Sequence, residues 1–351
     1  MNLTIVTNPE HAYLGWGTKT ESVEYVAEAL NNAGIDTTIV SISTEEDLEK
    51  ETEALSRADL VWPNTYHYNK KGVTSSLPQD LESIGARLVG PTSQSLETVL
   101  LKDKCQSRLR EFGVPTPGFI SVNGETSEEI SHLLTESNLT YPIIVKSAEG
   151  SISSGILPDS VKEFPCEVPS YVEKLRRIAN PRRILLEEYI GGPEFTVAAI
   201  GNGEHQKIYA VNTRITDPVT ASRKYSFLDG EMRPGCLKKG LVKLEPVTDE
   251  NLLGSLKKIA QETCQALDIY DWTRFDGRLD SNGSPRVFDV NGMPGLSLEV
   301  SVTTHQFSAL YPDTPKEEVF QGLVYSIVHS AATRHGITPT TQLTDNALYL
   351  K

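Results

Sequence analysis

The chain has 351 residues, 38% of them apolar, which is more than one typical core holds, so two or three packed units are expected. Its 33 Lys and Arg stand against 47 Asp and Glu, a formal charge of -14 that disfavours nucleic acid and anionic membrane as partners. No apolar run approaches the roughly 20 residues that span a bilayer, and Met1 leads directly into a short apolar strand pattern without a basic start, so a cytoplasmic location is expected.

Residues 3–6 are apolar, residues 21–33 carry Val23, Val26, Ala27 and Leu30 at helical spacing, and Gly34 ends that run before residues 37–40. This is a β-α-β opening. Apolar runs at 60–62 and 87–89 each meet a proline one or two residues on, as parallel strands do when they stop at a cleft where ligands collect. One helix is expected from Ser95 to Phe112, ended by Gly113, with Val114-Pro115-Thr116-Pro117 as an extended linker. The next unit holds strands at 142–146 and 184–189, a Gly/Ser-rich turn between them and a helix at 171–179. After Gly191-Gly192-Pro193 come strands near 195–200 and 207–211, a helix at 250–267 and a hairpin at 272–291. The expected units are 1–98, 99–190 and 191–351. Cys105, Cys166, Cys236 and Cys264 share no C-x-x-C spacing, which argues against a zinc site or a disulfide framework.

Asn282-Gly283 at the centre of the hairpin predicts a two-residue turn. Register follows: Asp280 faces Pro285, Asp276 faces Asp289 and Arg274 faces Asn291, with Pro285 in a non-bonded pair that does not need its missing N–H. Two bare carboxylates opposed at roughly 4.5 to 5.5 Å are destabilising, so a cation belongs between them. With Asn291 two residues beyond Asp289, the oxygen set suits Mg²⁺; the alternative is neutralisation by Arg274 and Arg278.

Upstream, Lys146 ends a strand and the loop Ser147-Ala-Glu-Gly150-Ser151-Ile-Ser153-Ser154-Gly155 follows. Glycines and serines let backbone N–H groups and hydroxyls converge on an anion, and the lysine supplies a full charge. An ordinary loop has the same look when it stands alone. Glu187, Glu188 and Glu194 flank a turn, where carboxylates can accept from an adenine amino group and a ribose hydroxyl, or simply be solvated.

Taken in order, Leu101-Lys-Asp-Lys104, Gly113-Val-Pro-Thr-Pro117, Tyr141-Pro-Ile-Ile-Val-Lys146, Leu186-Glu187 through Gly192-Pro-Glu-Phe-Thr-Val197, Arg223-Lys-Tyr225, Arg274-Phe-Asp276 and Phe288-Asp-Val-Asn291-Gly-Met-Pro-Gly295 resemble the D-alanine:D-alanine ligase branch of the ATP-grasp superfamily. The resemblance implies an α/β fold, α+β in the ATP-binding part, with three domains and a Rossmann-like N-terminal domain. It implies an ATP-dependent carbon–nitrogen ligase using ATP and two Mg²⁺ ions, with Mn²⁺ as the alternative metal. Lys146 and either Lys102 or Lys104 would hold phosphates under the loop of Gly150, Ser151, Ser153 and Ser154. Glu187, with Tyr189 and Ile190, would contact adenine and Glu194 the ribose. Asp276, Asp289 and Asn291 match the metal ligands, Asp289 standing where the family usually has a glutamate. Arg274 and the Gly295 backbone match the oxyanion groups, a role worth roughly 10²- to 10³-fold in rate per donor. Lys224 and Tyr225 fall on the loop that closes over the reaction.

Departures bear on the substrates. Where the family has an acidic H-G-x-x-G-E-D-G stretch, residues 62–72 read Trp-Pro-Asn-Thr-Tyr66-His67-Tyr-Asn-Lys-Lys-Gly. Beyond Gly295, the stretch to Ser301 departs from the serine and histidine pattern for the second carboxylate. Glu21, Tyr66, His67, Tyr225, Ser297 and Ser301 are the substrate-binding candidates. The expected substrates are an amino acid and a second small acid or carbonyl compound, and a homodimer is left open. The leading specific expectation is the branch that makes mycosporine-like amino acids; a dipeptide or D-alanine:D-alanine type ligase, an ATP-grasp kinase and a non-catalytic nucleotide-binding protein are the alternatives.

Overall fold

The computed structural model describes residues 1–9, 20–149, 155–230 and 235–350, without the side chains of Thr20 and Glu21. Strands β1 (Asn2–Thr7), β2 (Asp36–Ser41) and β3 (Leu60–Pro63) form a parallel sheet in the order β2-β1-β3, with helices α1 (Thr20–Asn32) and α2 (Glu45–Arg57) as crossovers. Residues 87–89 contribute only one parallel bridge, Val61 with Leu88, rather than a strand. The chain then turns at Gly90, whose φ of 98° is open to glycine. Between them, β4 (His67–Lys70) and β5 (Val73–Ser76) form a hairpin that leans on α3 (Leu77–Ser83), with the Tyr68 hydroxyl donating to Asp80 at 2.6 Å.

The single helix expected at 95–112 is two helices, α4 (Ser93–Leu100) and α5 (Lys102–Glu111), parted by an extended Leu101. Leu101 bridges Glu149, and the Lys102 N–H donates to Ala148 O at 2.8 Å. A contact from a distant loop has replaced a helical hydrogen bond, which local periodicity cannot foresee.

The middle sheet runs β6-β9-β7-β8, from β6 (Phe119–Val122), β7 (Ile143–Ser147), β8 (Val161–Lys162) and β9 (Ile184–Glu188). Helices α6 (Ser127–Glu136) and α7 (Val168–Ala179) cover it, sharing a core of Val122, Ile130, Val145, Tyr171, Leu175 and Leu186. The third sheet is antiparallel, ordered β12-β11-β10-β13-β14 from β10 (Glu194–Ile200), β11 (Lys207–Ile215), β12 (Val242–Pro246), β13 (Trp272–Leu279) and β14 (Pro285–Asn291). Short α8 (Pro218–Ala221) follows β11, and α9 (Glu250–Ala266) packs Leu256, Ile259 and Ala260 on Phe195, Val197 and Phe275. Strand alternation leaves Thr196 and Asp276 on the other face.

Helices α10 (Val302–Leu310), α11 (Lys316–Arg334) and α12 (Thr341–Asn346) close the chain. Helix α11 is buried along most of its length and shares one core with Leu3, Ile5, Val26, Leu30 and Trp62 of the first unit. The fully buried Asp271 carboxylate accepts from Gly90 N–H (2.9 Å), Asn202 Nδ2 (2.9 Å), Ser330 Oγ (3.1 Å) and Arg334 Nη2 (2.6 Å), and Arg334 also donates to Leu88 O at 2.7 Å. That network ties the first unit to the base of β13. All four cysteines are free, and no helix among the described residues is long and apolar enough to cross a membrane.

Candidate active site

A cleft opens between the middle sheet and the face of the third sheet opposite α9, the setting of a small-molecule site. Its apolar members include Ile144, Ile156, Tyr189, Phe227, Leu228 and Phe288, surfaces that suit a flat heterocycle. Its charged members are three cations, Lys102, Lys146 and Arg278, and five carboxylates, Glu187, Glu188, Glu194, Asp276 and Asp289.

Each strand delivers its groups by register. Glu187 faces Ile144 across β7–β9, and Lys146, two residues along on the same face, reaches the Glu187 carboxylate at 2.6 Å. Gln106 of α5 also donates to Glu187, and to Phe288 O at 3.2 Å. Lys102, at the start of α5, pairs with Asp289. Burial by itself would disfavour both charged forms, but the attraction outweighs it, holding Asp289 below and Lys102 above their ordinary values, with Lys146 and Arg274 adding to the field on Asp289. Asp276 accepts from Thr196 Oγ1 at 2.8 Å and from Arg274 Nη2 at 3.2 Å. Two buried donors here, Arg274 Nε and Asn291 Nδ2, have no protein acceptor. An orphan buried donor costs about 1–3 kcal/mol unless water or a ligand meets it.

The hairpin reaches its predicted pairing by a different route. Asp280 N–H donates to Ser284 O and Gly283 N–H to Asp280 O, both at 2.9 Å, with Gly283 at φ 76°. The connection is therefore a three-residue loop, not the two-residue turn. Leu279 pairs with Pro285 and Gly277 with Val287, one residue off the prediction, until a β-bulge at Phe288 restores Asp276 with Asp289 and Arg274 with Asn291. The bulge has a use: consecutive residues Phe288 and Asp289 both line the cleft. Phe288 lies 5.4 Å from the Lys146 ammonium. Gly277 is needed opposite it, since a Cβ would come within 2.3 Å of Phe195 and 2.5 Å of Arg286 O.

Several candidates stand elsewhere than expected. Of the alternatives Lys102 and Lys104, Lys102 lines the cleft, whereas Lys104 is exposed on the far side of α5, because the break at Leu101 sets the helix phase. Lys224 pairs with Glu163 at 2.6 Å on the surface, outside the cleft lining. Tyr225 packs edge-on against Tyr189, ring centroids 5.2 Å apart. Glu194 is held by Arg278 at 2.8 Å, and the Tyr189 hydroxyl accepts from Arg278 at 2.8 Å and donates to Ser226 O at 3.0 Å. Ile190 O accepts from the same guanidinium at 3.2 Å. Glu188 serves the backbone, accepting from Gly118 and Thr140 N–H.

Ser297 Oγ accepts from Val300 N–H at 3.0 Å, and Ser301 donates to Gly295 O while capping α10, so both serines organise the turn they sit on. Tyr66 is buried, and its hydroxyl accepts from Met293 N–H at 3.3 Å. His67 stacks obliquely on Tyr66, centroids 6.3 Å apart. Gly150, Ser151, Ser153, Ser154 and the Glu21 side chain lie outside the described residues. Sequence reasoning missed Phe288 as a cleft residue and Gln106 as the buried partner of Glu187, and took Arg278 only as a counter-charge to the hairpin aspartates. Helical spacing from Lys102 would have found Gln106; nothing local marks the bulge.

Residues 109–309 match the family D-ala D-ala ligase C-terminus. The Sinorhizobium fredii uncharacterized protein y4sG is 30% identical over 248 residues, 67% of each chain, and the D-alanine–D-alanine ligase B of Pseudomonas putida is 26% identical over 277 residues, 78% of this chain and 77% of that one. The Bacillus anthracis D-alanine–D-alanine ligase complexed with ATP shares the fold, with a TM-score of 0.65 at 17% identity over 96% of this chain and 99% of that one. The chain belongs to the D-ala D-ala ligase C-terminus family and is an ATP-dependent carbon–nitrogen bond-forming ligase of the ATP-grasp fold.

Proposed function

We propose that this ligase phosphorylates a small acid or carbonyl-type substrate with ATP and joins it to an amino acid, releasing ADP and phosphate. The observation that carries this reading is the gathering of Lys102, Lys146, Asp276, Asp289 and Asn291 on one cleft beside an apolar slot. In this reading the base lies among Ile144, Ile156, Phe227, Leu228 and Phe288, Glu187 and Glu194 meet adenine and ribose, and Lys102 and Lys146 exchange their carboxylate partners for phosphate oxygens. An oxygen of the first substrate attacks the γ-phosphorus and ADP leaves; the amine nitrogen then attacks the activated carbon and phosphate leaves. Arg274 and the Gly295 N–H face the developing oxyanion. Enclosure by the loop of Lys224 and Tyr225 keeps water from the phosphorylated intermediate.

The residues fit a hard divalent cation. The cleft lining carries more carboxylates than cations, so a triphosphate needs added positive charge, and Asp276, Asp289 and Asn291 present oxygen-bearing side chains. Among the described residues no cluster of three or more His, Cys, Asp or Glu can hold an ion by itself, as befits Mg²⁺, or Mn²⁺, shared with phosphates. Bound there, such ions would neutralise charge on the phosphoryl oxygens.

We place the functional units at 1–98, 99–190 and 191–351, the second clasping nucleotide and the third holding the metal. As the specific pair we propose mycosporine-glycine with serine or threonine, on the ground that the Tyr66–Met293 contact and the β4–β5 hairpin replace the acidic stretch of the family's first subsite. A D-alanine:D-alanine type ligase is the second reading, favoured by the names of the relatives. Phosphate and ADP release are measured over a panel of amino acids with and without a carbonyl-bearing cosubstrate. Equimolar ADP and phosphate, dependent on both substrates, is the expected result; ADP without free phosphate points to a kinase, and no substrate-dependent turnover defeats the reading.

A further inference from the structure

Arg278 is buried, lines the cleft and faces Glu194 across β10–β13. A guanidinium carries five N–H donors in one plane, and here the acceptors number the same. Nε and Nη2 both donate to Glu194 Oε2, at 3.1 and 2.8 Å, Nη2 also to Ser226 O at 2.8 Å, and Nη1 to the Tyr189 hydroxyl at 2.8 Å and to Ile190 O at 3.2 Å. No donor remains for a phosphate, so this cation acts through what it holds.

Its acceptors belong to three segments. Tyr189 and Ile190 lie in the connection between the middle and third sheets, Glu194 begins β10, and Ser226 lies in the stretch 222–230 after α8, which also sends Phe227 and Leu228 to the cleft wall. Tyr189 repeats the link: its hydroxyl donates to Ser226 O at 3.0 Å, and its ring packs edge-on against Tyr225 and Phe227, centroids 5.2 and 6.3 Å apart. Both bonds from Arg278 to Glu194 fall on one oxygen, and among the described residues no donor meets the other, Oε1. A carboxylate fixed in this way keeps one acceptor for a ligand hydroxyl in a set orientation. Lysine is no substitute, because its compact head offers three donors where five bonds in three segments are made.

Resting on the nucleotide site proposed above, we infer that Arg278 is a positioning residue: it fixes Glu194 for a ribose hydroxyl and, through Ser226 O, holds the stretch carrying Lys224 and Tyr225 against the cleft. Sugar recognition and enclosure of the site then share one support.

Calorimetry compares ADP with its 2′-deoxy and 3′-deoxy forms, in the presence of Mg²⁺, on the wild type and on Arg278→Lys, with Arg278→Gln in its place if the first variant does not fold. Trypsin cleavage after Arg223 or Lys224 is followed on each protein at saturating ADP. The wild type should bind ADP about 10-fold or more tighter than one of the deoxy forms, as expected for a hydroxyl bonded to a charged acceptor. In the variant that ratio should fall toward one, and cleavage should quicken on the order of 10-fold as the stretch is released. A folded variant that keeps both the ratio and the cleavage rate, even with a lowered urea midpoint, shows that Arg278 only stabilises the fold and overturns the inference. So does a change in one readout without the other, or equal binding of all three nucleotides by the wild type. Failure of the wild type to bind any of them would instead defeat the nucleotide site itself.

Discussion

Lys102 and Asp289 show how a single side chain decides chemistry. They sit 187 positions apart, yet each holds the other's charge at the cleft. Removing one partner strands a buried charge, worth about 2–5 kcal/mol, so Lys102→Met should weaken ATP binding by on the order of 10²-fold or more. Lys104→Met, on the exposed face of α5, should leave it within about 2-fold, within the small range of exposed-charge effects. Equilibrium binding of a fluorescent nucleotide separates the two, and equal losses would refute the assignment. Asp289→Ala should lower substrate-dependent phosphate release by at least about 10²-fold at saturating Mg²⁺; full turnover in that variant would remove Asp289 from the metal site.

The β13–β14 hairpin shows what an element adds to its residues. Period-two alternation places Asp276 and Asp289 together, but the Phe288 bulge gives the cleft an aromatic wall as well. Gly277 makes room for Phe195 opposite that bulge, so Gly277→Ala should destabilise the protein by about 1–3 kcal/mol through overpacking. A urea titration measures this; an unchanged midpoint would mean that both Phe195 and the Arg286 backbone give way freely. The kink between α4 and α5 is the same lesson in a helix. A bridge from Leu101 to Glu149 turns Lys102, and with it Gln106, toward Glu187 and Asp289.

At the scale of the molecule, α11 packs against the first unit, and Asp271 with Arg334 joins that unit to the strand that carries Arg274 and Asp276. Asp271→Ala leaves Arg334 with no counter-charge in a mostly buried setting and should cost about 3–5 kcal/mol. The double variant with Arg334→Leu should cost less than the sum of its parts, a coupling that denaturation of all four proteins would reveal. Three half-buried histidines make the fold sensitive to acid. Burial depresses the basicity of His305, His329 and His335. Because the unfolded chain binds protons that these imidazoles refuse, stability is present above the ordinary histidine value near 6.5 and is lost as pH falls through it. At about 0.3 M salt, which screens the net charge, the urea midpoint should drop between pH 7.5 and 5.5. A flat profile would show that the three rings protonate without resistance in the folded state.

Much of this was open to reading from the chain alone: the β-α-β opening, the Asp276–Asp289 and Arg274–Asn291 pairings, Lys146 at its strand end, and the family. Each depends on short-range periodicity or on several motifs in a fixed order, information carried by neighbours in sequence. The two hairpin errors, in turn length and in bulge, cancelled because both strands still had to present alternate residues to one core. What tertiary structure alone decided was which lysine of Leu101-Lys-Asp-Lys104 faces the cleft, how Lys224 and the serines are engaged, and where α11 docks. Those outcomes turn on contacts between groups far apart along the chain, whose free energies no local window contains.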